Sequence, residues 1–219
     1  MSGPIYVYAI VEGLTAGRFL QRHVELMEVA GFEVVCEHLR EPPPLSEARL
    51  RAQHEIVVRI AARAPAVLPV RFGAWLEQSE LEAVLRRRRR VLRAALGRVR
   101  GRVQMTIRLF GRSGSRGAVE EAAPMTGTAF LKARRAAARP GLPAAATAIS
   151  AAVQSIVADE RIEGPRGTIL VTLHHLLERS RVPRYRRALS SAGRGLRAGV
   201  ELTVSGPWPP FAFTPELLE

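Results

Sequence analysis

Histidine is the side chain best suited to acid–base and metal chemistry near neutral pH, and this sequence places histidines at His54, next to Glu55, and at the pair His174–His175. Neighbouring helix positions do not share a face, so His54 is more typical of a core or interface histidine than of an acid–base partner of Glu55. Successive strand residues point to opposite faces, so His174 and His175 cannot chelate one metal ion, and we expect one to be packed and the other exposed. An enzyme that uses His54 and Glu55 near Arg71 is kept as an alternative.

Motifs of common enzymes do not occur in the sequence. There is no G-x-x-x-x-G-K-[ST] phosphate loop, no G-x-G-x-x-G after a strand, no H-E-x-x-H and no G-x-S-x-G. Cys36 is the only cysteine and Asp159 the only aspartate, so the usual thiolate and carboxylate metal cages are not available, and a site made of glutamates alone is the alternative that stays open. Cys36 lies in an apolar stretch, where cysteine is usually a small buried hydrophobe. We therefore predict no enzymatic activity, no small-molecule substrate, no cofactor and no metal ion.

Five of the 33 lysine and arginine residues form one run of arginines, 86–90. The net charge is +13, which favours an acidic partner. The apolar residues of the surrounding helical pattern follow one side, so we expect four of the arginines outside and Arg88 near the apolar stripe. The four outer residues are Arg86, Arg87, Arg89 and Arg90. A nucleic-acid-binding module is the alternative function, but we favour a solvated helix face, because aromatic residues for base stacking are only 5% of the chain.

The first half of the chain predicts both strands and helices. A β-branched and aromatic stretch at 4–13 predicts a buried strand. A strand–turn–strand unit follows, with its turn at Ala30–Gly31, although 24–30 alone also fits a helix. Apolar residues at helical spacing predict a helix over 45–63. Its apolar face is expected to contain Leu50, His54, Val57, Val58 and Ala61. The remaining elements of this half are a short strand within 64–75 and a helix over 77–99.

The second half predicts the element order β-α-α-β-α-β. After the strand that follows Gly101, a glycine-rich linker at 111–117 leads to a helix that begins near 127 and to another that ends at Gly164. This order indicates an α+β arrangement of ferredoxin-like character. We expect two small α+β domains, with the boundary near Arg98. The predicted divisions are an N-terminal domain at 1–98, a ferredoxin-like C-terminal domain at 99–206 and an extended tail at 207–219.

The tail combines prolines with large aromatic side chains. A segment whose backbone is fixed by proline loses little entropy on docking, and Trp208, Phe211 and Phe213 offer large apolar areas. We expect the tail to seal a groove between the two domains, with Trp208 packed against the first domain or the domain junction; direct contact with a partner is the alternative. Arg71 and Phe72 follow a core strand, so Arg71 either pairs with a carboxylate at the domain interface or faces a partner.

Membrane and secretory signals do not occur. No stretch of about 18 apolar residues is present, and the first residues lack the pattern of a secretory signal. We therefore expect a soluble, cytoplasmic protein without membrane insertion.

Several segments together resemble one family. In chain order they are YVYAIV, AQHEIVV, VLPVRFGAW, GRVQMTIRL, GTAFLKARR and ELTVSGPWPPFAF. They are similar to the motifs of the gas vesicle proteins of the F/L type, and VLPVRFG and GPWPPFAF are the most specific of them. The chain differs from the family pattern at Phe130 and Phe211, where tyrosine is usual, and at Ala212, where serine is frequent.

The resemblance implies a fold and a role. The family has a two-domain α+β fold and no known enzymatic activity. Its members are accessory or minor components that engage the small hydrophobic shell protein during assembly of gas-filled, protein-walled vesicles. By this resemblance the expected partners are the gas vesicle shell protein and other gas vesicle accessory proteins, and the expected location is the cytoplasm, in association with gas vesicles.

Overall fold

The structure, a computed structural model, describes residues 3–15, 23–111, 144–195 and 200–217. These residues form two compact units. The first unit combines Met1–Gln104 with Pro207–Glu219, and the second is Met105–Gly206. Each unit contains a β-sheet and helices, so the α+β class expected from the sequence is confirmed.

The sheet of the first unit is built around its first strand. Its strands are β1 (Ile5–Glu12), β2 (Val24–Val29), β3 (Phe32–His38), β4 (Ala66–Pro69) and β5 (Trp75–Leu76). The order is β2-β3-β1-β4, and β5 also pairs with β1. Strand β1 is antiparallel to β3, β4 and β5 and is buried over nearly its whole length. This burial explains its continuous run of β-branched and aromatic residues.

A tight turn joins β2 and β3. Val29 pairs with Phe32, which leaves Ala30 and Gly31 as a two-residue loop. Both loop residues have positive φ angles, 50° and 75°, as a type I′ hairpin turn requires. The strand–turn–strand prediction is therefore confirmed, and the helical alternative for 24–30 is wrong.

Helix α1 (Glu47–Ala61) begins after Ser46, whose hydroxyl accepts a hydrogen bond from the Arg49 amide at 3.3 Å. The sequence predicted this helix and the burial of Val57, but most of the residues it placed on the apolar face are not buried. The buried residues are Gln53, Ile56, Val57 and Ile60. Leu50, His54 and Val58 are exposed. Hydropathy misassigns the face because Gln53 is polar but buried, with hydrogen-bond partners described below.

The helix predicted over 77–99 is divided into two. Helix α2 (Gln78–Arg87) and helix α3 (Arg89–Val99) meet at Arg88, whose φ of −97° and ψ of 9° leave the α-helical region. The buried residues of α2 and α3 are Leu81, Leu85, Leu92, Ala95, Leu96 and Val99. Val91, another apolar residue of α3, is exposed. The outer arginines of the run are exposed and Arg88 is half-buried, as expected.

The sheet of the second unit has the order β7-β8-β6-β9. Its strands are β6 (Arg102–Gly111), β7 (Asp159–Glu163), β8 (Ile169–Glu178) and β9 (Val200–Trp208). Helix α4 (Ala144–Val153) and helix α5 (Val182–Arg194) share one apolar cluster with the sheet through Ile149, Val171 and Leu189. The predicted helix is present, but it ends at Val153 and not at Gly164, because residues Asp159–Glu163 form β7. Strand β7 is an outer strand rich in charge, and this polarity hid it from a hydropathy pattern.

Some sequence predictions fall outside the described residues. The linker prediction at 111–117 lies there except for Gly111, and so does the helix that begins near 127, with Phe130. In the part of the chain that the structure does describe, no helix has the length and apolarity needed to cross a membrane.

Candidate functional site

A buried hydrogen-bond network links three of the segments singled out in the sequence. The hydroxyl of Tyr6 in β1 donates to the side-chain oxygen of Gln53 in α1. The amide nitrogen of Gln53 donates to the carbonyl of Val70 at 2.8 Å, and the Gly73 amide donates to the Tyr6 hydroxyl at 3.2 Å. Gly73 has a φ of 95°, a value that side chains disfavour. The network thus holds the turn of VLPVRFG against the helix that carries AQHEIVV.

A second polar pair lies in the same core. The Tyr8 hydroxyl donates to a carboxylate oxygen of Glu37 at 2.5 Å, and burial raises the pKa of Tyr8 above its usual range. Burial also raises the pKa of the Cys36 thiol to about 12, so the reactive thiolate is scarce at neutral pH. Cys36 is therefore the buried small hydrophobe that its sequence setting predicts.

The tail docks on the first unit of its own chain. Residues Phe211–Phe213 form one 3₁₀ turn that contacts β4, and the two prolines before this turn are buried. The Ala212 amide donates to the side-chain oxygen of Gln104 at 2.8 Å. Phe213 is only 1% exposed, so it is the buried aromatic anchor of the tail.

Trp208 has a different environment from Phe213. It is the last residue of the outer strand β9 and is 36% exposed. Its ring meets the His54 ring edge-on at a centroid distance of 5.5 Å, and Phe211 stacks on His54 at 6.2 Å. Trp208 therefore contacts His54 of the first unit but is much less buried than Phe213.

An exposed apolar surface surrounds the contact between α1 and the tail. Leu50 and Val58 lie one helical turn before and after His54, and both are exposed, as is Trp208. We call these four residues, Leu50, His54, Val58 and Trp208, the α1–tail surface. Sequence analysis missed Leu50 and Val58 as surface residues, because their helical spacing is equally compatible with a buried face.

Arg71 pairs with a carboxylate near the end of the tail. Its guanidinium contacts the side chain of Glu216, while Arg88 donates to the Glu216 backbone carbonyl. The Arg71 side chain is 81% exposed, so this pair contributes less than about 1 kcal/mol to stability. Phe72 is more constrained, because it packs on the apolar core and meets the Tyr6 ring at 5.9 Å. Arg71 and Arg88 thus position the end of the tail more than they stabilise the fold.

The outer arginines lie on α2 and α3. Arg86 forms an ion pair with Glu82 at 2.5 Å, while Arg87, Arg89 and Arg90 are exposed. The neighbouring Arg93 lies over the Phe32 ring at 4.6 Å and donates to the Gly31 carbonyl. The run therefore presents positive charge to solvent along the α2–α3 junction.

The two histidines of β8 are both buried, so the expectation of one exposed ring is wrong. His175 is 0% exposed; its Nε2 lies 2.7 Å from a Glu160 carboxylate oxygen and its Nδ1 lies 2.7 Å from the Tyr185 hydroxyl. Ser150 donates to the same Glu160 oxygen at 2.6 Å. His174 on the other face is 3.1 Å from the Thr106 hydroxyl. Both rings are buried because the middle of β8 is covered on both of its faces.

The three residues of the enzyme alternative, His54, Glu55 and Arg71, all have contacts in the structure. His54 lies against Trp208 and Phe211, Glu55 pairs with Arg59 at 3.8 Å, and Arg71 pairs with Glu216. The structure therefore gives the three residues of the enzyme alternative separate partners. Within the described ranges, no three histidine, cysteine, aspartate or glutamate residues group as metal ligands would.

Comparisons with known proteins agree on one family. The sequence profile described as gas vesicle synthesis protein GvpL/GvpF matches residues 4–215. The crystal structure of the gas vesicle protein GvpF from Anabaena sp. PCC7120 is similar with a TM-score of 0.74 and 13% identity, covering 98% of this chain and 99% of that chain. The crystal structure of GvpF from Microcystis aeruginosa is similar with a TM-score of 0.74 and 12% identity, covering 96% and 98%.

No curated protein sequence matches the chain. At such low identities the two crystal structures show the fold alone. The profile match extends over nearly all of the sequence and includes the six segments that resemble the family. The chain therefore belongs to the gas vesicle synthesis protein GvpL/GvpF family, a family of gas vesicle proteins rather than a known family of enzymes.

Proposed function

We propose that the protein is a non-enzymatic assembly factor or minor structural component of gas vesicles, which binds the vesicle shell protein or other accessory proteins. The observation that carries this proposal is the α1–tail surface, an exposed apolar patch built from two motif segments of a gas vesicle family. Contiguous exposed apolar side chains mark protein interaction sites. The protein would act in the cytoplasm, in association with gas vesicles.

The physical role of this surface follows from its support. Gln53 on the buried face of α1 fixes the helix through Tyr6 and Val70, so the outward residues are presented on a rigid element. Trp208 offers a large ring that needs little reordering on binding, and a half-exposed tryptophan is a frequent binding hot spot. Burial of these apolar side chains by a hydrophobic partner would supply the binding energy, without bond-making chemistry.

We also propose that the two compact units are the two domains of the protein and that the second is ferredoxin-like. Its described elements follow the order β6, α4, β7, β8, α5 and β9, and its sheet order places β6 and β8 in the middle. Both features are those of a split βαβ arrangement. The tail is then an extension that returns to the first domain.

Polar substitutions on the α1–tail surface test the proposed function. Leu50→Ser combined with Val58→Ser is expected to reduce co-purification of the gas vesicle shell protein by about tenfold, because a loss of roughly 1.4 kcal/mol of apolar burial corresponds to that factor. Both positions are exposed, so the free energy of unfolding should change little. The shell protein retained by a tagged chain is quantified at equal loading.

Val91→Ser is the matched control, because Val91 is also an exposed valine but lies on α3. This control should retain the shell protein as the parent protein does. Equal retention by the double variant, the control and the parent would show that the α1–tail surface is not the binding site.

The outer arginines are proposed to strengthen association electrostatically. Replacing Arg86, Arg87, Arg89 and Arg90 by glutamine removes four charges at nearly constant helix propensity, so folding should survive. Partner binding should weaken and become less sensitive to salt, as measured by retention of the shell protein at low and high ionic strength. The lysine variant at the same four positions keeps the charge and serves as control.

The same variants decide between this role and the nucleic-acid alternative. Salt-dependent, sequence-independent binding of DNA that the glutamine variant loses would favour the nucleic-acid-binding module. Partner binding that is unaffected by the glutamine variant and insensitive to salt would reduce the run to a solvated helix face.

A further inference from the structure

The outer strands of the second sheet differ in how well they resist pairing with another chain. Strands β7 and β9 stand at the two ends of the sheet order formed by the described strands. Four of the five residues of β7 are charged, and charged side chains discourage the addition of a further strand. In the part of β9 before Pro207, Glu201 is the only charged residue, and Val204 is exposed. The edge of β9 is therefore better suited than that of β7 to pairing with a strand of another chain.

A groove runs beside β9. Its volume is about 360 Å³, and it is lined by Arg186, Leu189, Ser190, Gly193, Leu202 and Val204. The four α5 residues among these have the spacing of one helix face. At Gly193 a Cβ atom would lie 3.3 Å from a methyl carbon of Leu202, so glycine allows α5 and β9 to approach closely at this point. The floor is apolar and lies next to a strand edge, which is the arrangement used to capture extended peptides.

The charge of α5 is entirely positive. The helix contains four arginines and no acidic residue. Arg186 and Arg194 are eight residues apart on the line that passes through Ser190, a rise of about 12 Å. The Arg186 guanidinium donates to the Gly206 carbonyl at 2.7 Å, which holds it at the end of the β9 edge. Arg186 lines the groove, and Arg194, which does not line it, follows directly after the lining residue Gly193.

We propose that this β9–α5 groove binds an extended segment of another protein, which adds beside β9 and carries two carboxylates four residues apart with an apolar residue midway between them. Side chains at positions i, i+2 and i+4 of a strand share one face, and four residues span about 13 Å, close to the separation of the two arginines. The apolar residue would enter the groove beside Leu189 and Val204. This inference does not rest on the proposed function in gas vesicle assembly.

The test uses the full chain and two synthetic peptides with blocked ends, TETVTET and TKTVTKT. In NMR titrations of the isotope-labelled protein, TETVTET is expected to shift the amide signals of α5 and β9 and to bind at least about tenfold more tightly than TKTVTKT. Absence of shifts at millimolar TETVTET, equal affinity for both peptides, or shifts confined to other regions would each overturn the proposal.

Two variants separate the groove from the overall positive charge of the protein. Arg186→Glu should reverse the preference between the peptides, whereas Arg184→Glu, the same charge change on α5 but at a residue that does not line the groove, should preserve it. Gly193→Ala adds a methyl group 3.3 Å from Leu202 at the wall of the groove, so it should weaken binding of TETVTET, and its unfolding temperature is measured beside the parent's as the check on folding. Reversal by Arg184→Glu to the same degree would reduce the effect to bulk electrostatics and contradict the proposal.

Discussion

Replacing Phe213 by alanine is expected to lower the free energy of unfolding of the first unit by about 3 to 5 kcal/mol, the range for truncating a buried large aromatic side chain. Phe213 is 1% exposed in a turn that contacts β4, so its removal leaves a cavity between the tail and the sheet. A loss of this size is a large fraction of a domain's total stability of about 5 to 15 kcal/mol. Urea unfolding monitored by tryptophan fluorescence measures it, because both tryptophans, Trp75 and Trp208, lie in this unit.

Trp208→Ala is the matched comparison. Trp208 is the larger residue but is 36% exposed, so its truncation should cost clearly less stability than that of Phe213. Its main effect should be on binding to the shell protein, if the α1–tail surface is the contact site. A larger loss of stability from Trp208→Ala than from Phe213→Ala would show that the tryptophan anchors the tail after all.

The second unit is expected to lose stability as the pH falls below about 6.5, the usual pKa of histidine. Burial lowers the pKa values of both His174 and His175 in the folded state, against the opposing effect of the nearby carboxylates of Glu163 and Glu160. Below the ordinary pKa the unfolded chain therefore binds protons that the folded chain does not bind, and acid favours unfolding. The slope approaches about 1.4 kcal/mol per pH unit for each histidine until the lower folded pKa is reached.

The geometry at His175 explains why its neutral form is preferred. A neutral ring with the proton on Nε2 donates to Glu160 and accepts the Tyr185 proton at Nδ1, so both ring nitrogens of His175 and the Tyr185 hydroxyl have hydrogen-bond partners. Protonation would place an N–H against the Tyr185 hydroxyl, which would then need another acceptor in a buried site. Burial raises the pKa of Tyr185, so loss of its proton offers no relief.

Urea unfolding followed by circular dichroism at several pH values between about 5.5 and 7.5 measures the slope, in the range where histidine titrates. His175→Gln keeps one donor and one acceptor in the same place but cannot titrate, and it should remove about half of the slope that the two buried histidines contribute. His174→Gln should do the same. Stability that stays constant over this range, or a slope unchanged by both variants, would contradict the assignment.

The sequence alone determined the elements whose signals are local. Alternation and β-branched residues predicted β1, the β2–β3 hairpin and β8, and helical spacing predicted α1 and α5. The tail segment was predicted to dock in a fixed place because prolines and aromatic residues occur together in it. These features depend on residues that are close together in the chain, so short stretches of the sequence are sufficient to predict them.

Only the tertiary structure decided which face of α1 is buried and which tail residue is the anchor. Gln53 is buried because its amide meets Tyr6, 47 positions away, and this contact turns Leu50 and Val58 toward solvent. Ala212 forms a hydrogen bond with Gln104, 108 residues away in the sequence, and Arg88 forms one with Glu216, 128 residues away. Such contacts satisfy polar groups with partners that no local window contains, and a buried polar group is stable only where that partner is present. Hydropathy therefore misplaces Gln53, Leu50 and Val58, because it contains no information about partners that are distant in the chain.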